Sequence, residues 1–331
     1  MRFSSIVALG LAAVLAASVS CAKKIKVGPE DARVIAKNAY IYGYPMVENY
    51  KVMYAYAVYK DSGHYRAPFN TLAVVTPDTA KADSSGHAIT PKPPYALAWL
   101  DLRTEPVVIT VPPMKPDSHY DIQLVDLYTF HFGEISTAKN GNMGGSFLIV
   151  PAKWSSRVPD KITGVIGCET SFALAIIHGR GSDIEATAAT ENFLMNFNVE
   201  KQSTFEGTKT PAPAELIFPP YSQETINSAG FFQYVNFLLQ FCPVHPSEIH
   251  ERADFAKLGI AGGKNFDVAY MDKAILDAVN AGMKDGRAEI EAGVEKTPAN
   301  RLEYGSRADL KNDFLARAVA ARVSLYGPSG M

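Results

Sequence analysis

The sequence predicts an α+β protein of more than one domain, an antiparallel β-sandwich set between an N-terminal helix and a C-terminal helical region. Three observations carry that reading. From Pro29, apolar and aromatic residues recur at three- and four-residue spacing, the period of a helix. From Leu72 to Ile177, short β-type runs follow one another at roughly 8–12-residue spacing with turn residues between them, the pattern of a sandwich or barrel. No helix-length pattern alternates with those runs, which disfavours a parallel α/β sheet. Beyond Ile184 the helical texture returns.

The chain opens with MRFSSIVALGLAAVLAASVSC: Arg2, an apolar stretch Ile6–Ala17, then small residues up to Cys21. That is a secretory signal, with an apolar run short for a membrane span. Ser18-Val19-Ser20-Cys21 resembles a bacterial lipobox, with Ser18 where an aliphatic residue is usual. The expectation is an exported protein acylated on Cys21 and held by that lipid, periplasmic or anchored at the outer membrane. Plain cleavage after Ser20 or Ala22 is the alternative. Lys23, Lys24 and Lys26 then read as a solvated tether.

The expected division is a signal peptide over 1–20, the tether and a kinked helix over 21–61, the sandwich over 62–182 and a helical domain over 183–331. Pro29, Glu30 and Asp31 suit a helix start, and Ile35, Ala39, Tyr42, Met46, Tyr50, Met53 and Ala57 continue its apolar face. Pro45 predicts a kink or break near Gly43. Strands are expected at Leu72–Val75, Ala96–Leu102, Val107–Val111, Tyr120–Leu127, Tyr128–Phe132, Ser146–Val150, Gly164–Gly167 and Ser171–Ile177. The stretch DIEATAATENFLMNFNVE reads as a helix capped by Asp183, and further helices follow a proline-rich connection at Pro211, Pro213, Pro219 and Pro220.

Composition excludes some functions. With 331 residues, 47% hydrophobic and 20% charged, the chain has the make-up of a folded globular protein. The net charge of −2 and the absence of a basic stripe exclude nucleic acid as the expected partner. Cys168 and Cys242 sit in apolar surroundings and read as unpaired. The glycine-rich NGNMGGS (140–146) opens no helix and lacks the lysine of a phosphate loop, so it reads as a hairpin loop. Ser136, Ser146 and Ser171 lie in no Gly-x-Ser-x-Gly elbow. His245 and His250 stand five apart rather than at the i, i+4 spacing of a helical zinc pair.

Several stretches together resemble the DUF1254 family: AYIYGYPMV, FNTL, YALAWLDLRTEPVVITVP, HYDIQLVDLYTFHFGEI, NGNMGGSFLIVPAKW, and later FFQYVNFLLQFCPVHPSE and DFLARAVAARVSLYG. The likeness runs from about Ala32 to Gly327. It implies an immunoglobulin-like β-sandwich followed by a helical domain, in proteins that are often exported and have no settled reaction. It also implies a following jelly-roll domain of the DUF1214 type, absent before Met331, so a separate jelly-roll chain is an expected partner. Where the family carries an Asn-x-Asp-Thr-type stretch, this sequence has Pro91-Lys92-Pro93-Pro94 before Tyr95. Prolines fix the backbone but bind no ligand as an amide and a carboxylate do.

Candidate chemistry gathers in three places. The tyrosines at 40, 42, 44, 50, 54, 56 and 59 suit a platform for sugars or other planar or apolar ligands, or else a helix face packed on the sandwich. Tyr40, Tyr44 and Tyr50 are the candidate contacts there. On an extended strand Asp121, Gln123, Thr129 and His131 share a face if no bulge intervenes. Asp121 and His131 are ligand types that zinc or iron accepts, and a solvated polar sheet face is the plain alternative. Asp126 falls on the apolar face and must be paired or hydrogen-bonded. Asp101, between Leu100 and Leu102 and near Arg103, reads as an ion pair or turn cap, with a catalytic acid as the alternative. Asn70, Tyr95, Asp101, Gln123 and Asp126 complete the candidate ligand set. The function favoured is a small-molecule or partner-binding module of the cell envelope. The alternative is a metal-assisted hydrolase or oxygen-using enzyme on the sandwich, and no cofactor is named by the sequence.

Overall fold

A computed structural model describes residues 27–81, 93–116, 118–180, 187–212 and 214–327. The signal segment, Cys21, the lysine tether, Pro91 and Lys92 lie outside the described residues. The described residues open with a long helix α1 (Pro29–Met53), ending in a π-helical turn, Tyr54–Val58. Strand β1 (Ala73–Val75), a short helix α2 (Pro77–Lys81) and strands β2 (Tyr95–Asp101), β3 (Val107–Val111), β4 (His119–Asp126) and β5 (His131–Ser136) follow. After a turn of helix α3 (Thr137–Asn140) come β6 (Gly145–Pro151), β7 (Ile162–Cys168) and β8 (Phe172–Arg180). Helix α4 (Thr187–Leu194) leads into β9 (Asn198–Lys201) and the short α5 (Gln202–Phe205). The helical region holds α6 (Gln223–Ile226), α7 (Phe231–Leu239), α8 (Ile249–Lys257), α9 (Lys273–Lys296), α10 (Arg307–Leu310) and α11 (Phe314–Val323). No described helix is long and apolar enough to cross a membrane.

The strands form two sheets, one ordered β1-β2-β8-β4-β5 and one ordered β7-β6-β3-β9. The first is antiparallel throughout. In the second, β3 runs antiparallel to β6 and β9, but β6 and β7 pair in parallel, so the expectation of a wholly antiparallel body is corrected to a mixed one. The ten residues between β6 and β7 let the chain cross back and re-enter in the same direction, which a tight hairpin cannot do.

The central strands β2 and β8 of the first sheet are buried on both faces, which explains why they read as continuous apolar runs. On β2 and β8 the small residues Ala96, Ala98, Ala173 and Ala175 face the second sheet, in one core with Ile109, Ile122, Phe147 and Val199. Their large neighbours Leu97, Trp99, Phe172, Leu174 and Ile176 face the other way, into a core shared with α1, α7, α8, α9 and α11. The sheet is thus the middle layer between a second sheet and a layer of helices.

Further expectations change. Helix α1 does not break at Pro45, which withholds one hydrogen bond from the helix. Gly43 serves close packing: a Cβ there would lie 2.7 Å from Val235 Cγ2 on α7. The strand expected at Tyr128–Phe132 is β5, starting at His131, because Leu127–Thr129 make the turn. Thr129 takes a positive φ of 74° there, and the Phe130 N–H donates to Asp126 Oδ1 at 2.8 Å. The helix expected to run through Glu200 stops at Leu194, and Asn198–Lys201 joins the edge of the second sheet, placing Val199 in its core. Cys168 and Cys242 are both buried and free.

Candidate functional site

The polar residues of β4 and β5 converge on one cleft. Alternation puts Asp121 and Gln123 on the helix-facing side of the first sheet, away from Tyr120, Ile122 and Leu124 in the inter-sheet core. A register shift between Leu124 and Val125 then brings His131 opposite Val125, so the bulge turns His131 toward that same side rather than away from it. Here β5 is the sheet's edge and the segment 304–309 forms the opposing wall. The result is a cleft of about 370 Å³ in which Asp121, Gln123, His131, Glu134, Lys139 and Asp309 supply the polar lining.

Each polar group is held in place. Gln123 Nε2 donates to the Tyr326 carbonyl at 2.9 Å and lies 2.8 Å from His131 Nε2. The His131 backbone N–H donates to the Gly305 carbonyl at 2.9 Å, and its ring stacks on Tyr304 at 5.9 Å between centroids. Burial lowers the imidazole to about 4, so His131 is neutral near pH 7. Asp121 moves the opposite way: burial, reinforced by the charge of Glu134, lifts its carboxyl to about 6 despite Lys139. Lys139 is bound to Glu134 at 2.7 Å and lowers the Glu134 carboxyl. Asp309 is occupied by Ser306, accepting from its backbone N–H at 2.9 Å and its hydroxyl at 2.7 Å. Asp121 is therefore the carboxyl least committed to protein partners, and it can offer or accept a proton close to neutral pH.

Sequence reasoning missed a neighbour of this site. His178 stands directly across from Asp121 in the β4–β8 register, in a strand expected to end at Ile177. It is 4% exposed, burial lowers it to about 4, and its Nε2 has no partner among the described residues. Tyr95 lies against its ring at 6.3 Å. Extending the alternation Phe172, Leu174, Ile176 by one step places His178 on that face.

The other candidates separate into different roles. Asp126 is fully buried; burial and the nearby Glu169 raise its carboxyl well above the usual range. Its backbone carbonyl accepts from Asn49 Nδ2 at 3.0 Å, and Asn49 Oδ1 accepts from the Tyr326 hydroxyl at 2.8 Å. Beside it Arg307 binds both Glu169, at 2.8 Å, and the buried Glu248, while Tyr42 donates to Glu248 at 2.7 Å. Arg317 and Arg307 lie over the Phe130 ring. This network ties helices to sheet, and its arginines belong to no motif that sequence reading could single out. Asp101 accepts both N–H groups of the Arg103 fork, at 2.8 and 2.9 Å, while Asn70 splices to the Asp101 backbone through 2.7 and 3.2 Å hydrogen bonds. Both are tied to backbone and ion pair, away from the cleft lining.

The tyrosines do not form one platform. Tyr40 and Tyr44 line a second cleft of about 240 Å³ between α1 and the helical region. Tyr50 is wholly buried, donating to the Pro219 carbonyl at 2.5 Å among Tyr54, Tyr234 and Phe237. For the metal reading, the first cleft unites Asp121 and His131. Among the described residues no group of three or more His, Cys, Asp or Glu is placed to hold a metal ion.

Residues 69–196 match a family model described as "Protein of unknown function (DUF1254)". Among solved structures, the VPA0106 protein from Vibrio parahaemolyticus is similar with a TM-score of 0.73 and 20% identity, over 90% of this chain and 68% of that one. At that identity the likeness shows the fold alone. No curated protein matches the chain.

Proposed function

From the premise that this chain belongs to the DUF1254 family through residues 69–196, we propose that it is an exported envelope lipoprotein working as a small-ligand-binding module. The observation that carries the binding reading is the convergence of Asp121, Gln123 and His131 in the cleft of about 370 Å³ between the β5 edge and the 304–309 segment. Pockets with a few converging polar groups and shifted titration are the usual sites of binding. The open Asp121 carboxyl, with Glu134 and Asp309 already satisfied, favours a ligand that presents a hydrogen-bond donor, an amine or a hydroxyl. Phe132 and the stack of His131 on Tyr304 add apolar surface beside it.

Export and lipidation are supported by the sequence alone: Arg2, the Ile6–Ala17 run and Ser18-Val19-Ser20-Cys21. The immunoglobulin-like character of the two sheets is part of this reading and is supported by the family resemblance. A single experiment tests both halves. Native mass spectrometry of the full protein drawn gently from its host membranes is expected to show a diacylated Cys21 N-terminus and a retained small molecule. The Asp121→Asn/His131→Ala variant is expected to lose that molecule. An unmodified N-terminus removes the lipoprotein reading. A retained molecule indifferent to both substitutions, or a bare wild-type chain, removes the assignment of this cleft.

A further inference from the structure

We propose that the second cleft, between α1, α6–α7, α9 and α11, is a binding site for a neutral saccharide. It is separate from the Asp121 cleft and does not depend on that site's function. Its wall on α1 is a stripe of Tyr40, Tyr44 and Glu48, at i, i+4 and i+8, one face of the helix. Ile226, Phe231 and Ile290 make an apolar floor, and Arg287, Glu291 and Arg322 stand around it. The Tyr40 ring lies 4.7 Å from Phe231 and 6.0 Å from Tyr44; Tyr40 and Phe231 are buried behind Tyr44, so Tyr44 presents the accessible ring at that end.

The charge pattern selects the ligand class. Arg322 is neutralised by Glu291 at 2.8 Å, and Arg287 donates to neutral acceptors, Tyr40 Oη at 3.3 Å and Asn227 Oδ1 at 3.1 Å. The lining carries two guanidinium groups and two carboxylates, Glu48 and Glu291, so it has no net charge to attract an ion. It offers planar, two-pronged polar groups beside an aromatic face. A sugar ring matches both, because its C–H face lies on an aromatic ring while adjacent hydroxyls each donate and accept. The Tyr44 hydroxyl adds a donor. Burial together with the charge of Glu48 holds it protonated. A protonated phenol on the wall of the cleft is a group that a ligand oxygen can accept from.

The test is isothermal titration of the full protein with maltose, cellobiose and N,N′-diacetylchitobiose, repeated on Tyr44→Phe, Tyr44→Ala and Arg287→Ala. At least one disaccharide is expected to bind. Tyr44→Phe, which keeps the ring and so the fold, is expected to weaken it by about three- to tenfold, the range of one hydrogen bond. Tyr44→Ala and Arg287→Ala are expected to weaken it further. Binding of none of the three disaccharides overturns the proposal. So does a saccharide isotherm that survives Tyr44→Ala and Arg287→Ala, or one that is lost in Asp121→Asn instead, which would move the sugar to the other cleft.

Discussion

Asp121 sits across the strand from His178 and in one cleft with His131, and the three groups answer acid in opposite senses. Folding raises Asp121 from 3.8 to about 6, so the folded state holds that proton more tightly. Its contribution to stability is present below pH 3.8 and is lost as pH rises toward 6. Folding lowers His131 and His178 from 6.5 to about 4, so the unfolded chain takes up protons first and stability falls as pH drops from 6.5 toward 4. The Asp121 proton therefore offsets part of the histidine loss in nearly the same window. Asp121→Asn is expected to make Tm fall more steeply than wild type between pH 6.5 and 4, and His178→Phe to make it fall less. Equal slopes for wild type and Asp121→Asn in a thermal-melt series across that range would refute the account. Strand alternation made Asp121, Gln123 and His131 legible as one face, although the bulge that completes the set follows no rule of spacing. Tyr50 shows the limit of such reading: helical spacing places it on a face, but only the packed chain reveals that Tyr234 and Phe237 cover it.

The pairing of α1 with α9 shows how an element finds its place through what it lacks. Ala32, Ala36 and Ala39 leave one side of α1 nearly flat, and Gly282 and Gly286 do the same for α9, so the two backbones come close. A Cβ at Gly286 would lie 3.1 Å from the Lys37 carbonyl, and one at Gly282 would press into the Arg33 carbonyl, which has no freedom to swing aside. Ion pairs Arg33–Asp285 at 2.6 Å and Lys37–Glu289 at 2.9 Å flank the seam; they are largely exposed and add little. Gly282→Ala is expected to destabilise the protein by about 1–3 kcal/mol in urea unfolding despite alanine's better helix propensity. Gly63→Ala, with open space around its Cβ, is expected to stay within about 0.5 kcal/mol. A neutral or stabilising Gly282→Ala would mean the seam is looser than its geometry. The same dependence on partners hid β9. Its four residues carry only Val199 inward, too short a pattern to outweigh the helical composition before it, and the strand exists because β3 offers it an edge.

At the scale of the molecule, the central strands of the first sheet share a core with the helices, and this predicts that the two halves unfold as one unit. Leu97, Trp99, Phe172 and Ile176 belong to the same core as Tyr42, Met46, Leu238 and Val279, so removing the helices would expose one side of the sheet and removing the sheet would expose the helices. The sequence showed which segments were helical and which extended, but a chain of local patterns carries no sign of which layers share a core. Arg307 fastens the same junction, bound to Glu169 at the β7–β8 turn and to the buried Glu248 beside α8, and lying over Tyr128 and Phe130. Arg307→Ala leaves Glu248 buried without its cation and is expected to cost about 3–5 kcal/mol. The unit itself can be tested because the chain has two tryptophans, Trp99 buried between sheet and helices and Trp154 against the outer face of the second sheet. In Trp154→Phe, fluorescence reports only Trp99, while far-ultraviolet circular dichroism at the helical band reports the helices. If the layers form one unit, the two signals lose structure at the same urea concentration, and Arg307→Ala lowers both midpoints together. A helical transition that precedes the Trp99 transition would show that the sheet stands without its helical cover, and the shared core would then be a docking surface between two independently stable domains.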